Sequence, residues 1–308
     1  MKKNISILGS TGSIGKTVLE IINKRNSFFS VNILAANKNY RLICKQIVKF
    51  KPKVFLVNNP SIYLKVKKKF KQKKIKIIKN FEGKKNHFKK SDITVAAIPG
   101  IAGLDPTIEL IKKSKKILIA NKESIICGWN LIKKAALKNR TKIIPVDSEH
   151  FSIMKLLENS NIKDVKKIYL TASGGPFLKH NYKDFKKVKP HQAIKHPKWK
   201  MGKKISVDSA TLMNKILEVI EANKLFSINQ KKIDIVVHPE SLVHAIIEFN
   251  NGLYKFIYHE TTMIIPLANA IFDKNFMIDS IFKPKKNKDS FFFKGLNFLK
   301  VDKKRFPI

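Results

Sequence analysis

The sequence predicts an α/β protein, with an N-terminal doubly wound, Rossmann-like parallel sheet domain followed by a second, α+β domain. Short apolar runs alternate with amphipathic helical segments between residues 5 and 146. This alternation is typical of a parallel sheet that is covered by helices on both faces. A glycine-rich turn follows the first apolar run, and the alternation ends after Asp147. These observations place the domain boundary near residue 147.

The first domain, residues 1–147, is predicted to alternate strand and helix along its whole length. Strands are expected at residues 5–8, 31–36, 53–57, 75–78, 93–98, 116–120 and 142–146. Helices are expected at residues 13–25, 40–50, 61–70, 104–113 and 129–138. Apolar runs of strand length and helical periodicity carry these assignments.

The second domain, residues 148–282, has a different pattern of elements. Helices are expected at residues 151–158 and 209–223, and strands at residues 167–172, 246–249 and 253–258. The last two strands are joined by Asn251 and Gly252, a pair typical of hairpin turns. This order predicts a mixed or antiparallel sheet. Residues 283–308 read as a linker with no further element.

Composition places the chain among ordinary globular proteins. It has 308 residues, 44% hydrophobic and 28% charged, which is enough for two cores. No apolar stretch reaches 18 residues and no signal peptide pattern is present, so a cytoplasmic location without a membrane partner is expected. Cys44 and Cys127 lie far apart, which argues against a disulfide framework or a zinc site.

The formal charge of +41 raises the alternative of a basic nucleic-acid-binding protein. Only Arg25, Arg41, Arg140 and Arg305 are arginines, whereas proteins that read base edges rely on bidentate arginine. The lysines are spread along the chain, and their densest run, residues 65–90, matches no nucleic-acid-binding motif. Solvated lysine-rich faces are therefore favoured, and no nucleic-acid partner is expected.

The turn after the first strand contains Gly9, Gly12 and Gly15. Glycines between a strand and a helix let the backbone approach a pyrophosphate, which accepts hydrogen bonds at the helix N-terminus. The N–H groups of Thr11, Ser13 and Ile14 are the candidate donors. The alternative is a purely structural turn.

The segment after the second strand indicates which dinucleotide is bound. An acidic residue there would bind the 2′-hydroxyl of NAD, but this chain has Asn37, Lys38 and Asn39, followed by Arg41. Amide and cationic groups suit a 2′-phosphate. The sequence therefore predicts NADP.

Polar residues follow two later strands of the first domain. Lys122, in the run ANKES, is placed to meet an anion or a carbonyl oxygen, or else forms a surface pair with Glu123. Asp147 and Glu149 follow the last strand, and on an extended chain they point to the same side. Two carboxylates so placed suit a hard divalent cation.

A third ligand is expected from the helix that contains Asn214, Lys215 and Glu218. Asn214 and Glu218 are four residues apart and share one helical face with Lys215 beside them. This face suits a metal and a phosphate. An exposed Lys–Glu pair is the alternative and is at least as probable from spacing alone.

Two loops between these segments also carry candidate binding groups. Residues 171–176, TASGGP, form a small-residue turn suited to an oxyanion. Residues 196–202, HPKWKMG, place Trp199 between Pro and Gly, which favours a mobile lid over a core tryptophan.

The motifs GSTGSIG, ANKES, PVDSEH, TASGGPF, HPKWKMGKKISVDSATLMNK and HPESLVH occur in this order. Together they resemble the 1-deoxy-D-xylulose-5-phosphate reductoisomerase family from the first strand to about residue 270. The resemblance implies an NADPH- and metal-dependent enzyme of non-mevalonate isoprenoid synthesis. A skeletal rearrangement of 1-deoxy-D-xylulose 5-phosphate gives an aldehyde, which NADPH reduces to 2-C-methyl-D-erythritol 4-phosphate.

The resemblance also implies roles for individual residues of the first, NADPH-binding domain and of the second, α+β catalytic domain. The ligands of magnesium or manganese, with cobalt as a further candidate, would be Asp147, Glu149 and Glu218. Substrate contacts would come from Lys122, Ser148, Ser173, His196, Trp199, Ser209, Asn214 and Lys215. The NADPH site would be lined by Thr11, Gly12, Ser13, Ile14, Asn37, Lys38, Asn39, Asn121, Glu123 and Gly202.

The family comparison adds three further expectations. A homodimer is expected, formed through the sheet of the second domain. Asn37 stands where the family usually has glycine, which could crowd the adenosine ribose. The usual C-terminal helical domain is expected to be missing after residue 308, so an inactive truncated remnant that only binds NADPH is the main alternative to an active enzyme.

Overall fold

A computed structural model describes residues 2–81, 88–199, 202–273, 276–282 and 295–306. Part of the lysine-rich run (82–87), two residues of the predicted lid (200–201) and the run KPKKNKDS (283–290) lie outside the described residues. The chain divides into two compact units, Met1–Val146 with Leu267–Phe282, and Asp147–Pro266 with Lys283–Ile308.

The first unit contains a parallel sheet with the predicted alternation of strands and helices. Its strands are β1 (Lys3–Leu8), β2 (Phe29–Ala36), β3 (Val54–Val57), β4 (Lys76–Ile78), β5 (Ser91–Ala96), β6 (Ser114–Ile119) and β7 (Lys142–Pro145). Its helices up to residue 146 are α1 (Ser13–Lys24), α2 (Tyr40–Phe50), α3 (Pro60–Lys69), α4 (Leu104–Ile111) and α5 (Lys122–Asn139). The predicted α/β class is confirmed.

Within the described residues these seven strands are ordered β4-β3-β2-β1-β5-β6-β7, and all the pairs are parallel. The order reverses at β1, which pairs with β2 on one side and β5 on the other. Ile5, Ile7 and Leu8 in β1 are fully buried, as expected for a central strand covered on both faces. The turn after β1 therefore lies where doubly wound sheets bind ligands.

Helix α5 begins seven residues earlier than the predicted start at residue 129. Asn121 caps it by accepting a hydrogen bond from the Ser124 N–H at 2.9 Å. The helix is kinked at Gly128, where an added Cβ would lie 2.3 Å from a methyl carbon of Leu104. Lys122 and Glu123 are thus in a first helical turn rather than in a loop.

The second unit contains a mixed sheet, which was one of the two arrangements predicted. Its strands are β8 (Val165–Ala172), β9 (Ile233–Val237), β10 (Val243–Phe249), β11 (Tyr254–Tyr258) and β12 (Leu299–Lys300). In the described part of the chain they are ordered β11-β10-β8-β9-β12, and only β8 and β9 pair in parallel. The helices are α6 (Ser148–Leu156), α7 (Pro190–Ala193), α8 (Lys203–Ala210) and α9 (Met213–Phe226).

Two predictions for the second unit are wrong. The single helix expected at residues 209–223 is interrupted, because Leu212 adopts a left-handed conformation with φ +61° between α8 and α9. Residues 283–308 do contain a further element, because β12 pairs antiparallel with β9 through Leu299 and Val237. Neither a left-handed leucine nor a two-residue strand has a strong sequence signal.

The segment Leu267–Phe282 belongs to the first unit, although the sequence placed it in the second domain. It contains most of helix α10 (Ile264–Phe272). Lys116 Nζ, on β6, donates to the Ala270 carbonyl at 2.7 Å and to both carboxylate oxygens of Asp273. The Phe272 ring lies edge-on to that of Phe29, with centroids 5.5 Å apart. Among the described residues, no helix is both long and apolar enough to cross a membrane.

Candidate functional site

The N-terminus of α6 places two of the predicted metal ligands. Asp147 is the N-cap residue and accepts a hydrogen bond from the Glu149 N–H at 3.3 Å. An acidic cap and an acidic first turn are both favoured by the positive end of a helix. The extended geometry assumed from the sequence is therefore wrong, because Glu149 is helical. The two side chains converge through the cap instead.

Helix α9 provides the third carboxylate and two polar neighbours. Lys215 Nζ donates to Glu218 Oε2 at 2.8 Å and also contacts Glu149 Oε1, while Asn214 donates its side-chain amide to Glu218 Oε1. Ligand oxygens of Asp147, Glu149 and Glu218 all lie within 4.8 Å of one another. The carboxylates of α6 and α9 thus form one cluster in the second unit.

Burial makes this cluster electrostatically strained. Glu218 is 1% exposed and Lys215 is 7% exposed. Burial, and then the charge of Glu218, raise the pKa of Glu149 to about 8. Burial alone would lower the pKa of Lys215, but the charges of Glu149 and Glu218 raise it above its ordinary value. Lys215 therefore supplies positive charge that the carboxylates need.

The donor chemistry of this cluster fits a hard divalent cation. Three carboxylates offer only oxygen ligands, which magnesium and manganese prefer. Ser148 Oγ donates to Glu149 Oε2 at 2.5 Å, which orients one of the three. The cation would replace the positive charge now supplied by Lys215.

A second group next to this cluster was not singled out from the sequence. His150 is fully buried, and its Nδ1 atom lies 3.3 Å from Asp147 Oδ1 and 3.5 Å from Glu221 Oε2. Its Nε2 atom donates to the Glu218 carbonyl at 3.0 Å. Although burial alone would lower the pKa of His150, the carboxylates of Glu221 and Asp147 raise it to about 9.

His150 thus links the cap of α6 to the backbone of α9. A cation at Asp147, His150 and Glu221 is geometrically possible, but the imidazole nitrogen already faces two carboxylates as an ion pair would. The sequence did contain a signal for this group. His150 follows Asp147 by three residues and Glu221 follows Glu218 by three, so each pair lies on one helical face.

Ser173 and His196 form a polar pair at the end of β8. The Nδ1 atom of His196 accepts hydrogen bonds from the Lys198 and Trp199 N–H groups, so Nε2 carries the proton and donates to Ser173 Oγ at 2.9 Å. Ser173 Oγ also accepts from the Gly175 N–H at 3.2 Å. Both contacts use oxygen lone pairs, so the hydroxyl proton can be donated to an anion.

His196 is held in its neutral form. Burial, and then the charge of Lys215, lower the pKa of His196 to about 4. The charge of Lys215 therefore acts both on His196 and on the carboxylates of Glu149 and Glu218. The Trp199 ring meets that of His244 edge-on, with centroids 5.9 Å apart.

Two further predicted site residues belong to the α8 region, Ser209 inside the helix and Gly202 immediately before it. An added Cβ at Gly175 would lie 2.7 Å from the Ser209 carbonyl, so the end of α8 packs closely on the turn after β8. The Ser209 backbone therefore packs on Gly175, which follows Ser173 by two residues. Gly202 is the N-cap residue of α8, with ordinary backbone geometry.

The glycine-rich turn in the first unit packs closely against neighbouring backbone. Gly9 has φ +82°, and an added Cβ there would lie 2.4 Å from the Ala97 carbonyl oxygen. An added Cβ at Gly15 would lie 2.4 Å from the Gly9 carbonyl oxygen. Helix α1 starts at Ser13 after Gly12, with no side-chain cap. A side chain at either Gly9 or Gly15 would therefore collide with backbone, so the packing of this turn requires glycine at both positions.

The other residues of the first unit that were predicted to contact NADPH or substrate differ in exposure and in the hydrogen bonds of their side chains. Asn37 and Lys38 are exposed, while Asn39 caps α2 by accepting from the Leu42 N–H at 3.1 Å. Asn121 caps α5 and donates to the carbonyls of Ile98 and Gly100, so its side chain stabilises the protein itself. Lys122 is 6% exposed and Glu123 is partly exposed.

Comparison with known proteins gives a consistent family assignment. The family model for 1-deoxy-D-xylulose 5-phosphate reductoisomerase matches residues 5–128, and the model for its C-terminal domain matches residues 143–226. A relative from Pelagibacter ubique is 47% identical over 309 residues, which cover 99% of this chain and 79% of the relative. A relative from Wolbachia pipientis of Culex pipiens is 44% identical over 271 residues, which cover 87% of this chain and 69% of the relative. Both relatives are named 1-deoxy-D-xylulose 5-phosphate reductoisomerase.

Solved structures agree with these relatives. A DOX-P reductoisomerase in complex with NADPH, fosmidomycin and magnesium superimposes with a TM-score of 0.89 at 32% identity, covering 99% of this chain and 77% of that one. The Zymomonas mobilis 1-deoxy-D-xylulose 5-phosphate reductoisomerase in complex with NADPH superimposes with a TM-score of 0.87 at 32% identity, covering 100% of this chain and 79% of that one. The chain therefore spans about four fifths of these related chains.

Proposed function

Because this chain belongs to the 1-deoxy-D-xylulose 5-phosphate reductoisomerase family, we propose that its two units divide the family's reaction between them. The reaction is the NADPH- and divalent-metal-dependent rearrangement and reduction of 1-deoxy-D-xylulose 5-phosphate to 2-C-methyl-D-erythritol 4-phosphate. The first unit binds NADPH, and the second unit binds the cation and the phosphorylated substrate. The observation that carries this proposal is the convergence of three buried carboxylates within 4.8 Å.

Asp147, Glu149 and Glu218 hold the cation in this proposal. When bound, the cation supplies Lewis acidity, polarising substrate oxygens and stabilising negative charge during the rearrangement. Ser148 orients Glu149 through its hydroxyl, and Asn214 orients Glu218 through its amide. Magnesium and manganese both suit an all-oxygen donor set, so we propose that either supports the reaction.

The substrate phosphate is bound by groups around Lys215. In the structure Lys215 pairs with Glu149 and Glu218, and a cation on those carboxylates would leave its ammonium available to the phosphate. Ser173 donates its hydroxyl, Ser209 lies at the end of α8 that packs on Gly175, and Asn214 shares the helix of Lys215. We assign substrate contacts also to Lys122, Ser148 and neutral His196, and a lid role to Trp199.

NADPH binds at the turn after β1 and at the segment after β2. The backbone N–H groups of Thr11, Ser13 and Ile14 receive the pyrophosphate, because they lie at the start of α1, which has no side-chain cap. Gly12 lines the same site, while its own N–H donates to the Gly9 carbonyl at 3.0 Å. Lys38, exposed between Asn37 and Asn39, pairs with the 2′-phosphate. Asn121, Glu123 and Gly202 complete the proposed set, with Asn121 acting through its backbone because its side chain is engaged.

Homodimerisation through the second unit's sheet is a further part of the proposal. Strand β11 is at an edge of that sheet in the described residues. Tyr254 and Phe256 in this strand, and Leu253 just before it, are at least 50% exposed. An apolar edge strand of this kind is normally covered. Size-exclusion chromatography with light scattering tests the dimer. We also propose a cytoplasmic location, which suits the free thiols of Cys44 and Cys127.

The experiment is an NADPH oxidation assay on this chain with 1-deoxy-D-xylulose 5-phosphate and Mn²⁺. We expect turnover that chelators abolish, and a loss of at least about a hundredfold in Asp147→Asn or Glu218→Gln, because each removes a charged ligand. Glu158→Gln is the matched control. Glu158 is an exposed carboxylate that pairs with Lys155 and is not part of the cluster. Chelator-insensitive turnover would contradict the proposal, and NADPH binding without turnover would identify an inactive remnant.

A further inference from the structure

Ser10, inside the glycine-rich turn, is held by contacts that have no part in the proposed cofactor contacts. It is fully buried, and the N–H groups of Gly9 and Ser10 both donate to the Ala35 carbonyl at 2.9 Å. Its side chain points to α2, where Ser10 Oγ donates to Gln46 Oε1 at 2.7 Å. The turn is therefore tied to β2 by its backbone and to α2 by a side chain.

Gln46 completes this connection with a second hydrogen bond. Its Nε2 atom donates to the Ser10 carbonyl at 2.9 Å, so its amide engages both the side chain and the backbone of Ser10. Gln46 is 6% exposed and lies among the apolar buried residues of α2, Ile43, Cys44 and Ile47. A buried amide is unfavourable unless it is hydrogen-bonded, and packing alone would be served as well by methionine or leucine at this position.

Gln46 lies on the helix that follows the proposed 2′-phosphate segment. Helix α2 begins at Tyr40 and is capped by Asn39, so residues 37–39 form its entry. The same rigid helix thus carries the proposed 2′-phosphate segment at one end and the contact with the pyrophosphate turn two turns later. In the proposed NADPH site these two segments bind the phosphates on C5′ and C2′ of the same adenosine ribose.

We propose that Gln46 is a positioning residue for NADPH, fixing the pyrophosphate turn at Ser10 relative to the 2′-phosphate segment at the start of α2. The inference rests on the proposed NADPH site. It adds a residue that touches no cofactor atom and acts through Ser10. A ligand that spans both segments depends on this spacing, whereas a ligand that touches only one does not.

The test measures equilibrium binding to the metal-free chain by fluorescence titration, using NADPH and adenosine 2′-monophosphate as probes. In Gln46→Met we expect the Kd for NADPH to rise about tenfold, the size of one to two net hydrogen bonds, and the Kd for the monophosphate to change less than about twofold. Ser10→Ala removes only the hydroxyl donor and should give a smaller rise. The double variant should resemble Gln46→Met, because both substitutions break one connection.

Ile47→Val is the matched control, since Ile47 is the buried neighbour on the same helix and its side chain has no hydrogen-bonding group. It should lower the melting temperature while leaving both dissociation constants near the wild-type values. Three results would overturn the inference: NADPH binding by Gln46→Met and Ser10→Ala equal to wild type, an equal loss in Ile47→Val, or an equal loss for both probes. If the wild-type chain itself fails to bind NADPH, the proposed function falls together with the inference.

Discussion

The ammonium of Lys215 lies 2.8 Å from the Glu218 carboxylate, inside the cluster that we propose for the cation. Lys215 and a divalent cation therefore compete for the same negative charge. Because two unit charges about 4 Å apart interact by about 4 kcal/mol at the effective dielectric constant of about 20 that describes protein sites, removing the ammonium should strengthen cation binding substantially.

Lys215→Gln should accordingly bind Mn²⁺ at least about tenfold more tightly than wild type while turning substrate over far more slowly. The metal-free variant should be less stable than wild type, and Mn²⁺ should raise its melting temperature by more. Calorimetric titration and thermal unfolding measure both effects. Lys204→Gln, which removes an exposed lysine paired with Asp208 on α8, is the control and should change neither.

Cation binding should also depend on pH through Glu149. Burial and the charge of Glu218 raise the pKa of this carboxyl to about 8, so at neutral pH the metal must displace a proton. The affinity for Mg²⁺ should rise about tenfold per pH unit up to about pH 8 and then level off. Calorimetry at pH 7 in buffers of different ionisation enthalpy should detect release of about one proton.

The control for this proton release is Glu149→Gln, which has no proton to lose at that position. Its residual cation binding should release none. Proton release that is the same in both chains would show that another group titrates.

The pairing of His150 with Glu221 should make the stability of the metal-free chain depend on pH. The carboxylates raise the pKa of His150 to about 9, so its stabilisation is full below pH about 6.5 and is lost as the pH rises through about 9. The difference corresponds to roughly 3 kcal/mol. Urea unfolding between pH 6 and 10 measures it.

Glu221→Gln keeps the shape of the side chain and removes the charge that raises the pKa of His150 most. The fall in unfolding free energy between pH 6.5 and 9 should be smaller in this variant than in wild type. Identical pH dependence in the two chains would mean that His150 is not charged in the folded protein.

His196 should remain neutral where the enzyme works. Burial and the charge of Lys215 lower its pKa to about 4, and the two backbone N–H groups on Nδ1 fix the proton on Nε2. Nitrogen-15 NMR of the imidazole should therefore show the Nε2–H form with no titration between pH 5 and 8. His196→Gln can still donate to Ser173 and should bind inorganic phosphate better than His196→Ala.

The sequence predicted the first unit well because its local signals agree with its tertiary structure. Helix α2 has the predicted bounds, Tyr40–Phe50, since its apolar period and the Asn39 cap both mark them. In contrast, the break at Leu212 depends on a left-handed residue without a glycine, and the two-residue strand β12 depends on a distant partner. Both are decided by contacts that a local pattern does not contain.

The candidate site shows the same division. PVDSEH predicted two carboxylate ligands, although the reason given for Asp147 and Glu149 assumed an extended chain. The spacing of Asn214 and Glu218 left an exposed Lys–Glu pair open, and the family resemblance was needed to name Glu218 as the third ligand. The bridge from His150 to Glu221 joins residues 71 positions apart, and the bonds from Gln46 to Ser10 span 36. Such pairings appear only when the elements have packed.

The central claim is that Asp147, Glu149 and Glu218 of this chain bind one divalent cation. Its most direct test is a Mn²⁺ titration followed by electron paramagnetic resonance, on wild type and on Asp147→Asn, Glu149→Gln, Glu218→Gln and the exposed control Glu158→Gln. We predict a single site per chain, weakened at least about a hundredfold by each of the first three substitutions and unchanged in the control. Binding that survives all three substitutions would contradict the claim.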